Sequence, residues 1–146
     1  MTTPLYSPEI LRLAATIPHA ERLPDAQGSA EKRSPICGSR ITVDVRLDED
    51  GRVIELGQMV RACALGQASA SLMAAAAIGR SAGELAAARD ALAGFLAGER
   101  DDPGDWPGIA VLIPARGYPA RYPSIRLAFE AVAEAAEQAR QPAGTA

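Results

Sequence analysis

"SPICGSRITVDVRL", residues Ser34 to Leu47, passes from a loop into a strict alternation of apolar and polar residues. Ile41, Val43, Val45 and Leu47 share one side, and Thr42, Asp44 and Arg46 the other. Successive side chains of a strand point to opposite faces, so this spacing predicts a strand with one face buried. "DEDG", Asp48 to Gly51, supplies turn residues, and "RVIELGQMV" returns as a second, less regular strand, making a hairpin. "RAC", residues 61–63, reads as the start of a third short strand that ends at Cys63. The opening stretch also carries Cys37, one of only two cysteines in the chain, at the mouth of the strand.

Working outward, the texture is helical on both sides. "SPEILRLAATI", Ser7 to Ile17, has a serine cap, a proline in the first turn, and Ile10, Leu11, Ala14 and Ile17 on one expected face. Residues His19 to Ser34 are polar and turn-rich and read as an irregular lead-in. From Ala64, "ALGQASASLMAAAAIG" places Leu65, Ala68, Leu72 and Ala76 at helical spacing, with Gly79 as a stop. The small residues would let this helix lie close to the sheet. "SAGELAAARDALAGFLAG" opens with the Ser81–Glu84 pattern of a capping box and buries Leu85, Ala88, Leu92 and Phe95. "ERDDPGDWPG" interrupts, and "IAVLI" is of undecided type. A last helix runs from near Pro123 to about Arg140 with a stripe of Ile125, Phe129, Val132 and Ala136, followed by the tail at 141–146. No internal repeat is visible. The order gives one domain over residues 1–146 and an α+β fold: a small antiparallel sheet of about three strands with helices packed on one face.

Composition excludes several classes. The 146 residues are 48% hydrophobic and carry a net charge of −3 with both signs interspersed, so no basic face for nucleic acid is expected. No apolar run is long enough for a membrane helix. The N-terminal stretch lacks a basic segment followed by a long apolar core, so a cytoplasmic location is expected. One histidine, His19, and two cysteines cannot by themselves build a closed zinc site, which wants four Cys, His or carboxylate ligands. No phosphate loop is present, and the serine-centred patterns lack a histidine base.

A lone cysteine is most often a small buried hydrophobe. The settings of these two argue otherwise. Cys37 sits in a loop between Ile36 and Gly38, and Cys63 immediately precedes a helix, whose free N–H groups and positive dipole end favour a thiolate.

"SPICGSRITVDV", "ACALGQASASLM" and "PARYPSIRLAFEAV", together with "LYSPEILRLA" and "RLPDAQG" near the start, resemble the U-type iron–sulfur cluster assembly scaffolds over roughly residues 5–137. The "CGxRI" and "CAxxxASAS" segments are specific together and weak apart. The 61-residue separation of Cys63 and Ser124 suits the Suf-type, NifU N-terminal-like branch, with residues 98–117 as its insertion, and the Leu-Pro-Pro-Val-Lys run of the Isc-type branch is absent. The resemblance implies the U-type fold and an assembly role rather than an enzyme. Such proteins receive sulfur from a cysteine desulfurase, hold zinc, iron or a transient [2Fe-2S] cluster on three cysteines and an aspartate, and pass it to recipient apo-proteins. Cys37 and Cys63 take the first two ligand positions.

Two family ligands are replaced. Ser39 stands at the aspartate and Ser124 at the third cysteine, with Pro123 before it and Ala62 before Cys63. A serine hydroxyl must lose a proton of very high pKa to compete with a thiolate, so a metal held through Cys37, Cys63, Ser39 and Ser124 should bind orders of magnitude more weakly than in a full site. Three readings stay open. The chain is a divergent scaffold whose missing ligands come from a second copy of itself, glutathione or a partner; or a metal-free sulfur acceptor using Cys63; or a protein-interaction module that keeps only the fold. Arg40 and Arg121 fall at family positions where they would stabilise anionic sulfur or a cluster, with surface ion pairing as the ordinary account. Ser124 reads more simply as a cap of the last helix, Ser69 and Ser71 as packing residues, Asp101, Asp102 and Asp105 as a solvated loop, and His19 as a surface side chain. Trp106 reads as the anchor of the insertion.

Overall fold

In the computed structural model, which describes residues 6–35 and 38–141, the chain runs α1 (Pro8–Ala15), β1 (Gly28–Arg33), β2 (Arg40–Leu47), β3 (Val53–Arg61), α2 (Ala64–Ala76), α3 (Ala82–Leu96), 3₁₀ turns at Ile109–Gly117 and Pro119–Arg121, and α4 (Tyr122–Arg140). The sheet is antiparallel in the order β1-β2-β3. Ile41, Val43 and Val45 are fully buried beneath α4, which lies across β1 and β2. Among the described residues, no helix is long and apolar enough to cross a membrane.

The alternation read from 41–47 forms β2, and Asp48 closes the hairpin: its carboxylate accepts from the Asp50 and Arg52 N–H groups, and Gly51 takes φ +79°. The capping box at Ser81 and Glu84 is complete. Leu11 is exposed, so α1 presents Ile10 and Leu13 to the core instead. The alanine-rich α2 lies chiefly between α1 and α4 and touches the sheet at β3; its small residues serve mainly helix–helix approach.

Two strand expectations are corrected. "RAC" starts no strand of its own, because β3 is continuous to Arg61 and the chain leaves the sheet at Ala62. The third strand is β1, inside the expected irregular lead-in. Its inward positions are Gly28, Ala30 and Lys32, which carry no bulky apolar signal; pairing with Val45, Val43 and Ile41 of β2 specifies it instead.

The rest of the lead-in straps the sheet's outer face. His19 accepts the Gln58 N–H at the β3 edge, and the strap then crosses Gly57, where a Cβ would stand 2.2 Å from the Glu21 carbonyl oxygen. Gln58, fully buried, donates its side-chain amide to the Pro18 and Ala70 carbonyls and so clips the exit of α1 to α2.

The strap is fastened at Asp44, whose side chain is wholly buried. Arg22 grips it with Nε at 2.6 Å and Nη2 at 3.1 Å, Ser29 Oγ donates at 2.6 Å and the Leu23 N–H at 3.1 Å. Burial pushes the Asp44 pKa up, but the Arg22 and Ser29 hydrogen bonds, the Leu23 N–H and the Arg22 charge outweigh it and hold the carboxyl below its ordinary range. An unfolded aspartate titrates near ~3.9, so the stabilisation is complete above that pH and is lost as pH falls through the lower folded value. Asp44→Asn is expected to cost about 2 to 3 kcal/mol at neutral pH, from the loss of charge-assisted hydrogen bonds. Urea unfolding of both proteins from pH 7 to pH 2 checks it: the gap between them closes below about pH 3.9.

Candidate functional site

Three segments meet at one end of the sheet: the turn before β2, the β3–α2 junction and the first turn of α4. Cys63 is the N-cap of α2, with extended backbone at φ −66° and ψ 171°, and its carbonyl accepts the Gln67 N–H at 2.8 Å. The helix N-terminus expected from sequence is there, but the thiol makes no capping hydrogen bond to it. Cys63 Sγ lies 3.3 Å from Ser124 Oγ, which lies 3.0 Å from Ser39 Oγ. Ser39 and Ser124 are 4% and 1% exposed, whereas Cys63 is half-buried, so solvent reaches this row chiefly at the sulfur.

Sequence explains the close meeting of α2 and α4. A Cβ on Gly66 would stand 2.7 Å from Ser124 Oγ and 3.2 Å from the Ser124 carbonyl oxygen. Three residues on, on the same helical face, Ser69 Oγ donates to the Ile125 carbonyl at 2.6 Å. Ser71 likewise reaches the Thr16 carbonyl at 3.4 Å, so both serines tie helices as well as pack. Ser124 does not cap α4: Arg121 occupies that place, Ser124 is the third helical residue, and its hydroxyl is spent on Cys63 and Ser39.

Cys63 opens into a shallow depression of about 550 Å³, shared with Gly38, Ser39, Arg61 and Arg121. Arg40 faces an adjoining depression of about 520 Å³, with Arg33 and Arg61, and stands 3.9 Å from the Glu31 carboxylate. The structure thus brings Ser39, Cys63, Ser124 and Arg121 together and sets Arg40 one step away. Arg61, which borders both depressions, went unnoticed in the sequence because breaking β3 at "RAC" hid which face it takes. Cys37 lies outside the described residues.

The donor chemistry of the described part does not fit a closed zinc site. Among the described residues, no three His, Cys, Asp or Glu side chains converge. One thiol and two mutually bonded hydroxyls remain, and neutral hydroxyls are poor zinc ligands. Trp106 anchors the following segment as expected, donating Nε1–H to the Leu72 carbonyl at 2.7 Å and meeting Phe129 edge-on at a centroid distance of 5.2 Å. Asp101, Asp102, Asp105 and His19 are exposed.

The NifU-like N-terminal domain family matches residues 5–98, well over half the chain. The chain belongs to this family. A relative in Thermotoga maritima, the iron-sulfur cluster assembly scaffold protein IscU, is 30% identical over 138 residues, covering 94% of this chain and 96% of that protein. Among solved structures, a nitrogen-fixing NifU-like protein (N-terminal) from Brucella abortus is 36% identical with a TM-score of 0.89, covering 95% of this chain and 96% of that one. A putative iron-sulfur cluster assembly scaffold protein for the SUF system from Fervidobacterium islandicum superposes with a TM-score of 0.83 over 90% of this chain and 96% of that one; at 20% identity it speaks for the fold alone. The U-type α+β fold expected from the motifs is the fold of this NifU-like chain.

Proposed function

We propose that this NifU-like protein works in iron–sulfur cluster assembly as a carrier rather than an enzyme, receiving sulfur at Cys63 from a cysteine desulfurase. The observation that carries this is the half-buried Cys63 thiol at an open depression, backed by sealed hydroxyls. In the transfer, the Cys63 thiolate attacks the outer sulfur of the donor's persulfide. A new S–S bond forms on Cys63, the donor's S–S bond breaks, and its cysteine leaves as a thiolate, so no external oxidant or reductant enters. Arg121, at the same depression, supplies positive charge beside the anionic sulfur; Arg40 does so from the neighbouring one.

The cargo is iron or a transient [2Fe-2S] cluster shared between Cys63 and Cys37, which precedes Ser39 by two residues in sequence. Further ligands come from a recipient apo-protein, glutathione or a second copy of the chain, with zinc as an alternative guest. The Suf-type insertion at 98–117 belongs to the same proposal, supported by the family match ending at residue 98. A metal-free sulfur carrier is the second reading; the hydrogen-bonded Ser39–Ser124 pair favours it, because both hydroxyls already have partners.

Anaerobic incubation with iron, cysteine and a desulfurase tests both. Visible-range absorbance is expected, and Cys63→Ser should abolish it with folding retained. Mass spectrometry should show a +32 Da sulfur adduct at Cys63 before iron is added. An adduct without colour selects the metal-free carrier. Neither adduct nor colour refutes both readings.

A further inference from the structure

The strap covers the sheet's outer face at the Asp44–Gly57 level and, through the Asp25 carbonyl that accepts from Arg46, at the row beyond it. Two rows toward the site stay open. In the last of them, the register sets Arg33, Arg40 and Arg61 side by side across all three strands. Neighbouring strands are about 4.8 Å apart, so three guanidinium stems start within a row roughly 10 Å long. Like charges directly opposite destabilise a sheet. Glu31 relieves part of the repulsion, at 2.9 Å from Arg33 and 3.9 Å from Arg40. Arg61 has no ion-pair partner among the described residues. All three border the 520 Å³ depression, and the next row adds Met59, 44% exposed. On a chain of net charge −3 this is a local reversal of sign beside one accessible apolar side chain.

We propose that this arginine row is a docking surface for a carboxylate-rich segment of a partner protein. Guanidinium forks take carboxylates bidentately. Carboxylates three or four residues apart on a helix stand roughly 5–6 Å from one another, close to the strand spacing. Met59 offers an adaptable contact for an apolar side chain of the same segment. Because Arg61 also borders the Cys63 depression, a partner held here sits beside the thiol. The inference stands on the row itself and does not require any particular cargo at Cys63.

Fluorescence anisotropy of the full chain with a labelled hexaglutamate peptide tests it. Saturable binding that weakens with salt is expected. Arg33→Ser and Arg61→Ser should each weaken it roughly three- to five-fold, and the pair by about ten-fold or more. Melting temperatures of the variants should match or exceed that of the parent, because like-charge repulsion is relieved. Absence of saturable binding, or unchanged affinity in the double variant, overturns the proposal. Displacement by equimolar inorganic phosphate overturns it in favour of a small-oxyanion site, and equal affinity for a single-stranded DNA 12-mer in favour of nucleic acid. A marked loss of melting temperature in the double variant gives the row a structural role instead. Self-association that the two substitutions abolish makes a second copy the occupant and overturns the partner.

Discussion

Replacing Ser39 by Asp and Ser124 by Cys together is expected to raise zinc affinity by on the order of 10⁴-fold. The geometry is already that of a ligand cluster. Ser124 Oγ lies 3.3 Å from Cys63 Sγ and 3.0 Å from Ser39 Oγ, so three donor positions converge from three segments. The chemistry of the donors is what fails. A structural zinc site is worth about 10 to 16 kcal/mol over four ligands, or roughly 3 kcal/mol each, so two restored ligands supply about 5 to 6 kcal/mol. The variant should also show a trade that a merely sticky surface would not. Position 39 is 4% exposed, so an unpaired aspartate there should lower the melting temperature without metal. Zinc should then raise it again by mass action on the folded state. Competition with a chromophoric chelator measures the affinity, and thermal melts with and without zinc measure the coupling. Single variants should fall between the parent and the double variant. An unchanged affinity in a folded double variant would show that these positions do not act as a ligand set.

How far the sequence reaches is clear from where its signals are local. β2 was legible because every inward position is Ile, Val or Leu and every outward one polar. α3 was legible because its cap is written in Ser81 and Glu84 alone. The placement of Cys63 at the head of α2 follows from the change of texture at Ala64. β1 was hidden because strand identity there is conferred by its partner. Only Ala30 among its inward residues is apolar, and Lys32 reaches α4 through an ion pair with Glu134 at 3.1 Å. The Cys63–Ser124–Ser39 chain was half legible: the positions came from the motif pattern, but the mutual hydrogen bonds depend on how closely Gly66 lets α4 approach. The arginine row was illegible for a different reason. Its members are distant in sequence, and only the register aligns them.

Gly28→Val should be the most damaging single substitution on the sheet, costing about 3 kcal/mol and lowering the melting temperature by roughly 10 °C. The cause is space, not backbone freedom. A Cβ at Gly28 would stand 1.9 Å from the Ala135 carbonyl oxygen and 2.9 Å from the Ala139 backbone nitrogen. Both atoms belong to α4, which is pinned by the buried side chains of Ile125, Phe129 and Val132 and cannot retreat alone. Gly57 would also clash, at 2.2 Å from the Glu21 carbonyl oxygen, but that atom sits on a strap held by the Arg22 and Leu23 bonds to Asp44 rather than on a helix packed into the core. Gly57→Ala should therefore cost less than Gly28→Ala, although the two clashes look alike on distance. Gly117, with nothing within 4 Å of its would-be Cβ, serves as the neutral control, expected within about 0.5 kcal/mol. Denaturant melts rank the three. The consequence reaches the site end, because β1 carries Arg33: pushing β1 off α4 should also weaken hexaglutamate binding, whereas the Gly117 variant should not. A Gly28→Val protein as stable as its parent would mean that β1 is not clamped between β2 and α4, and the register that lines up Arg33, Arg40 and Arg61 would lose its support.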